Sequence, residues 1–218
     1  MQKLLLFLLL PFAALSQGKW INLLDNPETR FHIWKTSSFD KWTFEDGILS
    51  TSGGNADLVS NDEFGDFELE FKFKVAPKGN SGIVYKVLED IDNKALTHTF
   101  SSGPEYQIID DENYPEKLKD YQKSGANYAL DAPLKNGLSK PAGEWNTGKI
   151  EVVGSHVKHW LNGKLVADYE YGTDEWKEKV AHTKFAKSPY ADPHPTGHIA
   201  LQDHGDAVYF KKLRIRKL

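Results

Sequence analysis

The chain contains no cysteine, which removes disulfide scaffolds, thiolate-ligated zinc, iron–sulfur clusters, thiol nucleophiles and a lipid-modified N-terminal Cys from consideration. It has no excess of positive charge, since 27 Lys and Arg against 31 Asp and Glu leave a formal −4. Nucleic-acid binding rests on phosphate neutralisation by a basic surface, so nucleic acid is not expected as a partner. Long apolar runs are missing after the first 15 residues. Also absent are a Walker loop, a G-x-G-x-x-G after a strand, a G-x-S-x-G elbow, an H-E-x-x-H pair, internal repeats and low-complexity tracts. What is present is 218 residues that are 39% hydrophobic, 12% aromatic and 27% charged, the balance of one globular domain and too aromatic for disorder. The 8 histidines and 31 acids leave a His/carboxylate metal site open.

Residues 1–16 read as a signal peptide. Lys3 supplies a basic start, Leu4 to Leu15 an apolar stretch broken by Pro11, and Ala14-Leu15-Ser16 a small-x-small cleavage site. A bilayer requires about 20 apolar residues, more than this stretch supplies, so a membrane anchor is the weaker reading. The expectation is a periplasmic or secreted protein whose mature domain is 17–218, with no membrane association after cleavage. Its oligomeric state is not legible.

Strand patterns dominate the remainder. Phe67, Leu69, Phe71, Phe73 and Val75 alternate with Glu68, Glu70, Lys72 and Lys74, the period of a strand buried on one face and solvated on the other. The interleaved Glu68, Glu70, Lys72 and Lys74 read as a charge ladder rather than a catalytic carboxylate pair. Further strands are expected at 82–88, 105–109, 149–153, 156–161, 164–170, 198–204 and 207–216. Asn162-Gly163 between HVKHWL and KLVADY is a hairpin signal, because a type I′ turn needs positive φ at both central residues. Val208 and Phe210 share one parity and Leu213 and Ile215 the other, which predicts a β-bulge near Lys211-Lys212. Helical signals are confined to one or two turns in 115–121 and a short turn around Trp176 capped by Asp174. Many short strands without alternating helices predict an all-β fold, a two-sheet antiparallel sandwich with short helical turns in its loops.

Polar residues in strand register are the chemical candidates. Glu105 and Gln107 share a face of strand 105–109, with Asp110 at its end; His198, Ala200, Gln202 and His204 share a face of strand 198–204. A carboxylate, amides and imidazoles on neighbouring strands can bind sugar hydroxyls, hold a cation or move protons. The H-x3-H spacing of His194 and His198 is a poor metal motif, because Pro193 and Pro195 forbid the helix that presents such pairs. His156 and His159 fall on opposite faces of one strand. Trp145 and Trp160 read as core or hairpin packing in preference to sugar platforms.

In order along the chain stand GDFELEFKF at 65–73, GNSGIVYK at 79–86, PEYQIID at 104–110, SGANYAL at 124–130, PAGEWN at 141–146, HWLNGKLV at 159–166 and GHIALQDHG at 197–205. Together they resemble the bacterial 3-keto-disaccharide hydrolase family, formerly a domain of unknown function, which is similar in fold to concanavalin A-like lectins and glucanases. The resemblance implies a concanavalin A-like jelly roll and a carbohydrate substrate already oxidised to a ketone at C3. Cleavage would proceed by elimination across C1–C2 or with net hydrolysis. It carries Glu105, His204 and Asp110 as candidate catalytic residues and Gln107, Gln202, Asn80, Tyr85 and Lys86 as substrate-binding residues. Lys86 stands where the family often has Arg, so a point charge replaces a planar fork. A divalent cation held by Glu105, Asp110 or His204 would polarise the ketone, and the metal stays open at this point. The alternative is a non-catalytic, lectin-like carbohydrate-binding module, since fold alone does not decide function.

Overall fold

The computed structural model describes residues 18–94 and 96–218; the expected signal peptide lies outside them. Among the described residues, thirteen strands build two antiparallel sheets. They are β1 (Ile21–Asn22), β2 (Phe31–Ile33), β3 (Thr43–Glu45), β4 (Ile48–Thr51), β5 (Leu58–Phe64), β6 (Phe67–Val75), β7 (Asn80–Val87), β8 (Glu105–Ile109), β9 (Asn146–Val153), β10 (His156–Leu161), β11 (Lys164–Glu170), β12 (Gly197–Leu201) and β13 (Val208–Lys217). The eight-stranded sheet runs β11-β10-β9-β6-β13-β4-β3, with β1 added to β13; the five-stranded sheet runs β2-β5-β12-β7-β8.

The alternation in β6 does what its sequence dictates. Phe67, Leu69, Phe71 and Phe73 are buried, and their rings meet the inward aromatics of the other sheet: Phe67 on Tyr85 at 6.1 Å and Phe71 on Tyr106 at 5.2 Å between centroids, both edge-on. Such contacts add about 0.5–1.5 kcal/mol each beyond the area they bury. On the solvent side the ladder resolves into cross-strand pairs with β13, Glu68 with Arg216 and Glu70 with Arg214. The Asn162-Gly163 hairpin forms with φ of 49° and 79°, and the bulge falls at Lys212, φ 53°, where the β6–β13 register shifts.

Two local expectations are corrected. The turn around Trp176 is a two-turn helix, α1 (Asp174–Ala181), whose N-cap is Thr173, accepting from the Trp176 N–H, with Asp174 inside the first turn. Within 115–121 the only helical structure is the start of a three-residue 3₁₀ turn at Asp120–Gln122, since Pro115 and the exposed Glu116 and Lys117 offer no apolar stripe to bury. Among the described residues, no helix is long and apolar enough to cross a membrane.

One buried polar network ties the sheets together. His159 of β10 lies wholly inside: its Nδ1–H donates to the Gly125 carbonyl at 3.0 Å, and its Nε2 accepts from the Tyr85 hydroxyl at 2.8 Å, which in turn contacts the Tyr169 hydroxyl. His156, on the opposite face, pairs with Asp168 at the surface. Burial lowers the His159 imidazole from its ordinary 6.5 to about 4, so it is neutral in the fold. A depressed folded value gives stability that is complete above about pH 6.5 and is lost as the pH falls toward 4. The expected loss is up to about 3 kcal/mol. Thermal unfolding across that range should show this dependence in the wild type and its reduction in His159→Gln; equal pH dependence in both would show that the imidazole does not carry it.

Candidate active site

The outer face of the five-stranded sheet gathers the candidate residues in two cross-strand rows. In one, Glu105 of β8 lies opposite Val84 of β7, which pairs with Ala200 of β12, then Val59 of β5 and His32 of β2. In the next, Gln107 lies opposite Gly82, whose carbonyl accepts from the Gln202 N–H at 2.9 Å. Val59, Val84, Val87 and Ala200 form a small apolar patch on this face, against which Trp34 and Phe100 pack. Outward parity therefore brings Glu105, Gln107 and Gln202 onto one surface, all three buried.

Gly82 is the local reason that Glu105 can occupy this place. A Cβ on Gly82 would lie 2.5–2.9 Å from the Glu105 Oε1, Cγ and Cδ atoms, so the carboxyl side chain rests in the space that a side chain at 82 would fill. The edge of β8 is held by the segment that follows it: Gln107 N donates to Ala126 O, Gly125 N to Gln107 O, and Tyr128 N to Glu105 O. Gly125 is also the carbonyl that His159 holds, so the inter-sheet network positions the strand bearing the site.

The electrostatics of the face are dominated by one group. Glu105 is 5% exposed, and no hydrogen bond reaches its carboxyl from the described residues. Burial pushes it from 4.5 up to about 8; the Lys184 ammonium pulls it partly back, and the Asp57 carboxylate adds to the rise. Lys184 is held among aromatic rings, its Nζ 4.6 Å from the Tyr128 ring centre and 4.9 Å from that of Phe100, and it donates to the Tyr128 hydroxyl at 3.1 Å. Gln107 Nε2 donates to Asn80 Oδ1 at 3.2 Å, while Gln107 Oε1 is buried without a partner. A buried acid with no hydrogen bond beside an orphaned amide oxygen is costly in the empty fold and suited to a ligand's polar atoms.

Other expected residues are placed elsewhere. Asp110 does not bend into the face. Its carboxylate closes the turn after β8, accepting from the backbone N–H groups of Lys78, Glu112 and Asn113; burial raises its pKa, but these bonds outweigh that and hold it below the usual value. Tyr85 points inward to His159. Lys86 is the extra residue of a β7 bulge, with φ 54°, between Val84 and Val87, which pair with Ala200 and His198. Its buried Nζ donates to the Pro195 carbonyl at 2.5 Å, away from Glu105, and burial lowers its pKa. His204 is exposed on the loop that follows β12 and makes no hydrogen bond or ion pair with the described residues. That loop is organised by Asp203, which accepts from Thr51, Gly54, Asn55 and Gly205. His194 and His198 bond to separate carbonyls, those of Lys86 and Ser60. Among the described residues no three His, Asp or Glu side chains gather as a metal site; the donor set of Glu105, Asp110 and His204 does not assemble.

Asp57 is the member that the sequence patterns did not reveal. It precedes β5 with the outward parity of Val59, accepts from the Thr99 hydroxyl at 2.5 Å and the Asp203 N–H at 2.9 Å, and has its pKa raised by burial despite those bonds. Its alternation with Val59 is the only signal the sequence offers.

Because burial raises the pKa of Glu105, the stability this carboxyl contributes depends on pH. Its contribution is complete below about pH 4.5 and is lost as the pH rises through 8, a swing of about 4 to 5 kcal/mol. Glu105→Gln should therefore melt at a higher temperature than the wild type at pH 9 and close to it near pH 4.5. A variant equally or less stable at both ends would place the ionised carboxylate in a favourable environment instead.

Residues 19–216 match the family model described as the 3-keto-alpha-glucoside-1,2-lyase-like domain. A 3-keto-disaccharide hydrolase of Bacteroides thetaiotaomicron is 35% identical over 86% of this chain and 75% of its own length. The crystal structure of a candidate glycosyl hydrolase from Parabacteroides distasonis superposes with a TM-score of 0.83 at 33% identity, covering 92% of this chain and 94% of that one. More distant, at 12% identity and a TM-score of 0.52, is the catalytic domain of an endo-1,3-beta-glucanase from Thermotoga petrophila, covering 92% and 98%, a likeness of fold alone.

Proposed function

The chain belongs to the 3-keto-alpha-glucoside-1,2-lyase-like family, and from that premise and the site geometry we propose that it cleaves 3-keto-glycosides by elimination across C1–C2, with Glu105 as the proton-transfer group. Glycoside cleavage in general follows from the family and its relatives. The observation that carries the finer reading is the buried Glu105 carboxyl, unbonded and poised near pH 8.

A C3 ketone acidifies the proton on C2. The Glu105 carboxylate takes that proton, and the C–H electron pair moves into the C2–C3 bond to give an enolate at O3. Collapse of the enolate forms C1=C2, restores the ketone and expels the glycosidic oxygen from C1. The protonated Glu105 then returns its proton to that oxygen, so one carboxyl serves both transfers. The product is an unsaturated 2-hydroxy-3-keto sugar, and addition of water across its double bond makes the net reaction a hydrolysis. A proton-transfer group is most effective with a pKa near the working pH, which is where burial puts Glu105. The Gln202 amide and the Lys184 ammonium are the donors this face offers to the enolate oxygen. Gln107 donates one Nε2–H to Asn80 Oδ1, and its unpartnered Oε1 lies buried beneath the face. Our reading sets the reaction outside the cytoplasm, on the strength of the leader pattern in residues 1–16.

Three outcomes test this. 3-Keto forms of cellobiose or an aryl glucoside should be cleaved while the unoxidised glycosides survive, with deuterium at C2 lost to solvent. In the free enzyme kcat/KM should rise with pH up to about 8 and level off, because the ionised carboxylate is the active form. Glu105→Gln should lower it by roughly 10²–10⁴. Cleavage that retains C2 deuterium would replace elimination with an oxocarbenium route, and tight sugar binding without turnover of either form would make this a carbohydrate-binding module.

A further inference from the structure

On the opposite side of the sandwich, the outer face of the eight-stranded sheet carries a cleft of about 790 Å³, within the size range of small-molecule sites. Trp20 and Trp160 line it, with Asn22, Thr147, Lys72 and Lys212 among the polar lining. Both indole rings are braced by cations: the Arg214 and Arg216 guanidinium carbons lie 4.3 and 4.7 Å from the Trp20 ring centre, and Lys149 Nζ lies 3.6 Å from that of Trp160. Trp160, read from sequence as packing, is half-buried and belongs to this cleft.

The charge on this face is matched in one half and unmatched in the other. Glu68 and Glu70 pair with Arg216 and Arg214, and Lys149 lies 3.6 Å from both Glu68 and Glu151. One step along the β6–β13 ladder, Lys72 stands directly opposite Lys211, and neither these two nor Lys74 or Lys212 has an acidic partner among the described residues. Like charges placed directly across a ladder are destabilising, and Lys211 is held below the ordinary lysine value by desolvation and by Lys72, Lys212 and Lys74. The bulge adds to the arrangement, since it holds Lys212 at φ 53°, a conformation that a lysine adopts at a cost. Two of these ammonium groups, Lys72 and Lys212, line the cleft, while Lys74 and Lys211 lie over the Trp145 ring beside it; in a protein of net charge −4, a cleft end with two lysines and no acidic partner for either complements an anion.

We propose that this cleft binds an anionic oligosaccharide, with sugar rings against Trp20 and Trp160 and a carboxylate or sulfate substituent at Lys72 and Lys212. The flat indoles suit the C–H faces of pyranose rings, and Asn22 and Thr147 supply hydrogen bonds for hydroxyls. Glu70, in the cleft between Lys72 and the Glu68 pair, disfavours a continuous polyphosphate backbone and favours isolated anionic groups on an otherwise neutral polyol. The inference is independent of the reaction at Glu105, from which the cleft is separated by the full thickness of the sandwich.

The test is calorimetric titration of the whole protein with tetragalacturonate, a sulfated tetrasaccharide and neutral cellotetraose, with indole fluorescence as a second readout. The two anionic arms identify the source of the charge. Binding of at least one anionic tetrasaccharide should be tenfold or more tighter than that of cellotetraose, and should weaken as salt rises. The double variant Lys72→Ala/Lys212→Ala and, separately, Trp160→Ala should each reduce it at least tenfold. Glu105→Gln should leave it unchanged, and the cleft variants should leave turnover of a small 3-keto substrate unchanged. Circular dichroism checks the fold of Trp160→Ala, and Lys212→Glu, at an exposed position, gives the same answer without removing a ring. The proposal is overturned if no anionic tetrasaccharide binds, if the neutral one binds equally well, if binding survives the cleft variants or falls with Glu105→Gln, or if a single-stranded oligonucleotide competes more strongly than either anionic sugar.

Discussion

The space above Gly82 decides what this molecule can do. With no side chain there, Glu105 lies over the β7 backbone, largely buried and out of reach of any hydrogen-bond donor of the described residues. A Cβ at 82 would have to displace the carboxyl. Everything else about the face preserves that fit. β8 is fixed on one side by β7 and on the other by the segment around Gly125–Tyr128, and His159 reaches across the core to hold the Gly125 carbonyl. Asp110 closes the turn at the end of the same strand. These residues touch no substrate in our reading; they make the position of one acid precise.

The two outer faces divide the electrostatics of the protein. The five-stranded sheet shows amides, small aliphatic residues and two carboxyls whose pKa values are raised by burial, Glu105 and Asp57, an environment that shifts protons. The eight-stranded sheet shows paired and unpaired full charges with tryptophans braced by cations, an environment that attracts ions without perturbing a catalytic acid. A thin sandwich with an aromatic core keeps the two apart, and each face can therefore be altered by substitution without disturbing the other.

How much of this was legible followed from whether polar and apolar residues alternate along a strand. β6 announced itself because its outer face is charged, and the bulge at Lys212 because the apolar parity of β13 switches in the middle. The hairpin was legible from Asn162-Gly163. β7 was not readable in the same way: Ser81 to Val87 are all buried, so alternation gives no direction, and the bulge at Lys86 reverses parity within the strand. That is why Tyr85 and Lys86, adjacent in sequence to true members of the face, turn out to serve the core and a loop carbonyl. Glu105, Gln107 and Gln202 were legible because polar and apolar residues alternate around them in Glu105 to Ile108 and in His198 to Gln202, although β8 is buried on both faces. Asp57 was missed because it stands just before its strand, and Asp110 was misplaced because a carboxylate that caps backbone N–H groups has the same letter as one that does chemistry.

The central claim is that Glu105 is a buried carboxyl that titrates near neutrality. It is tested most directly by labelling glutamate side chains with ¹³C and following the Glu105 carboxyl resonance, assigned by its loss in Glu105→Gln, as the pH is raised. The account predicts a midpoint near 8, far above the ordinary glutamate value of 4.5. A midpoint between 4 and 5 would contradict it, because a carboxyl that ionises at its ordinary value meets no net penalty from burial, and neither its poise for proton transfer nor its cost to the fold would remain.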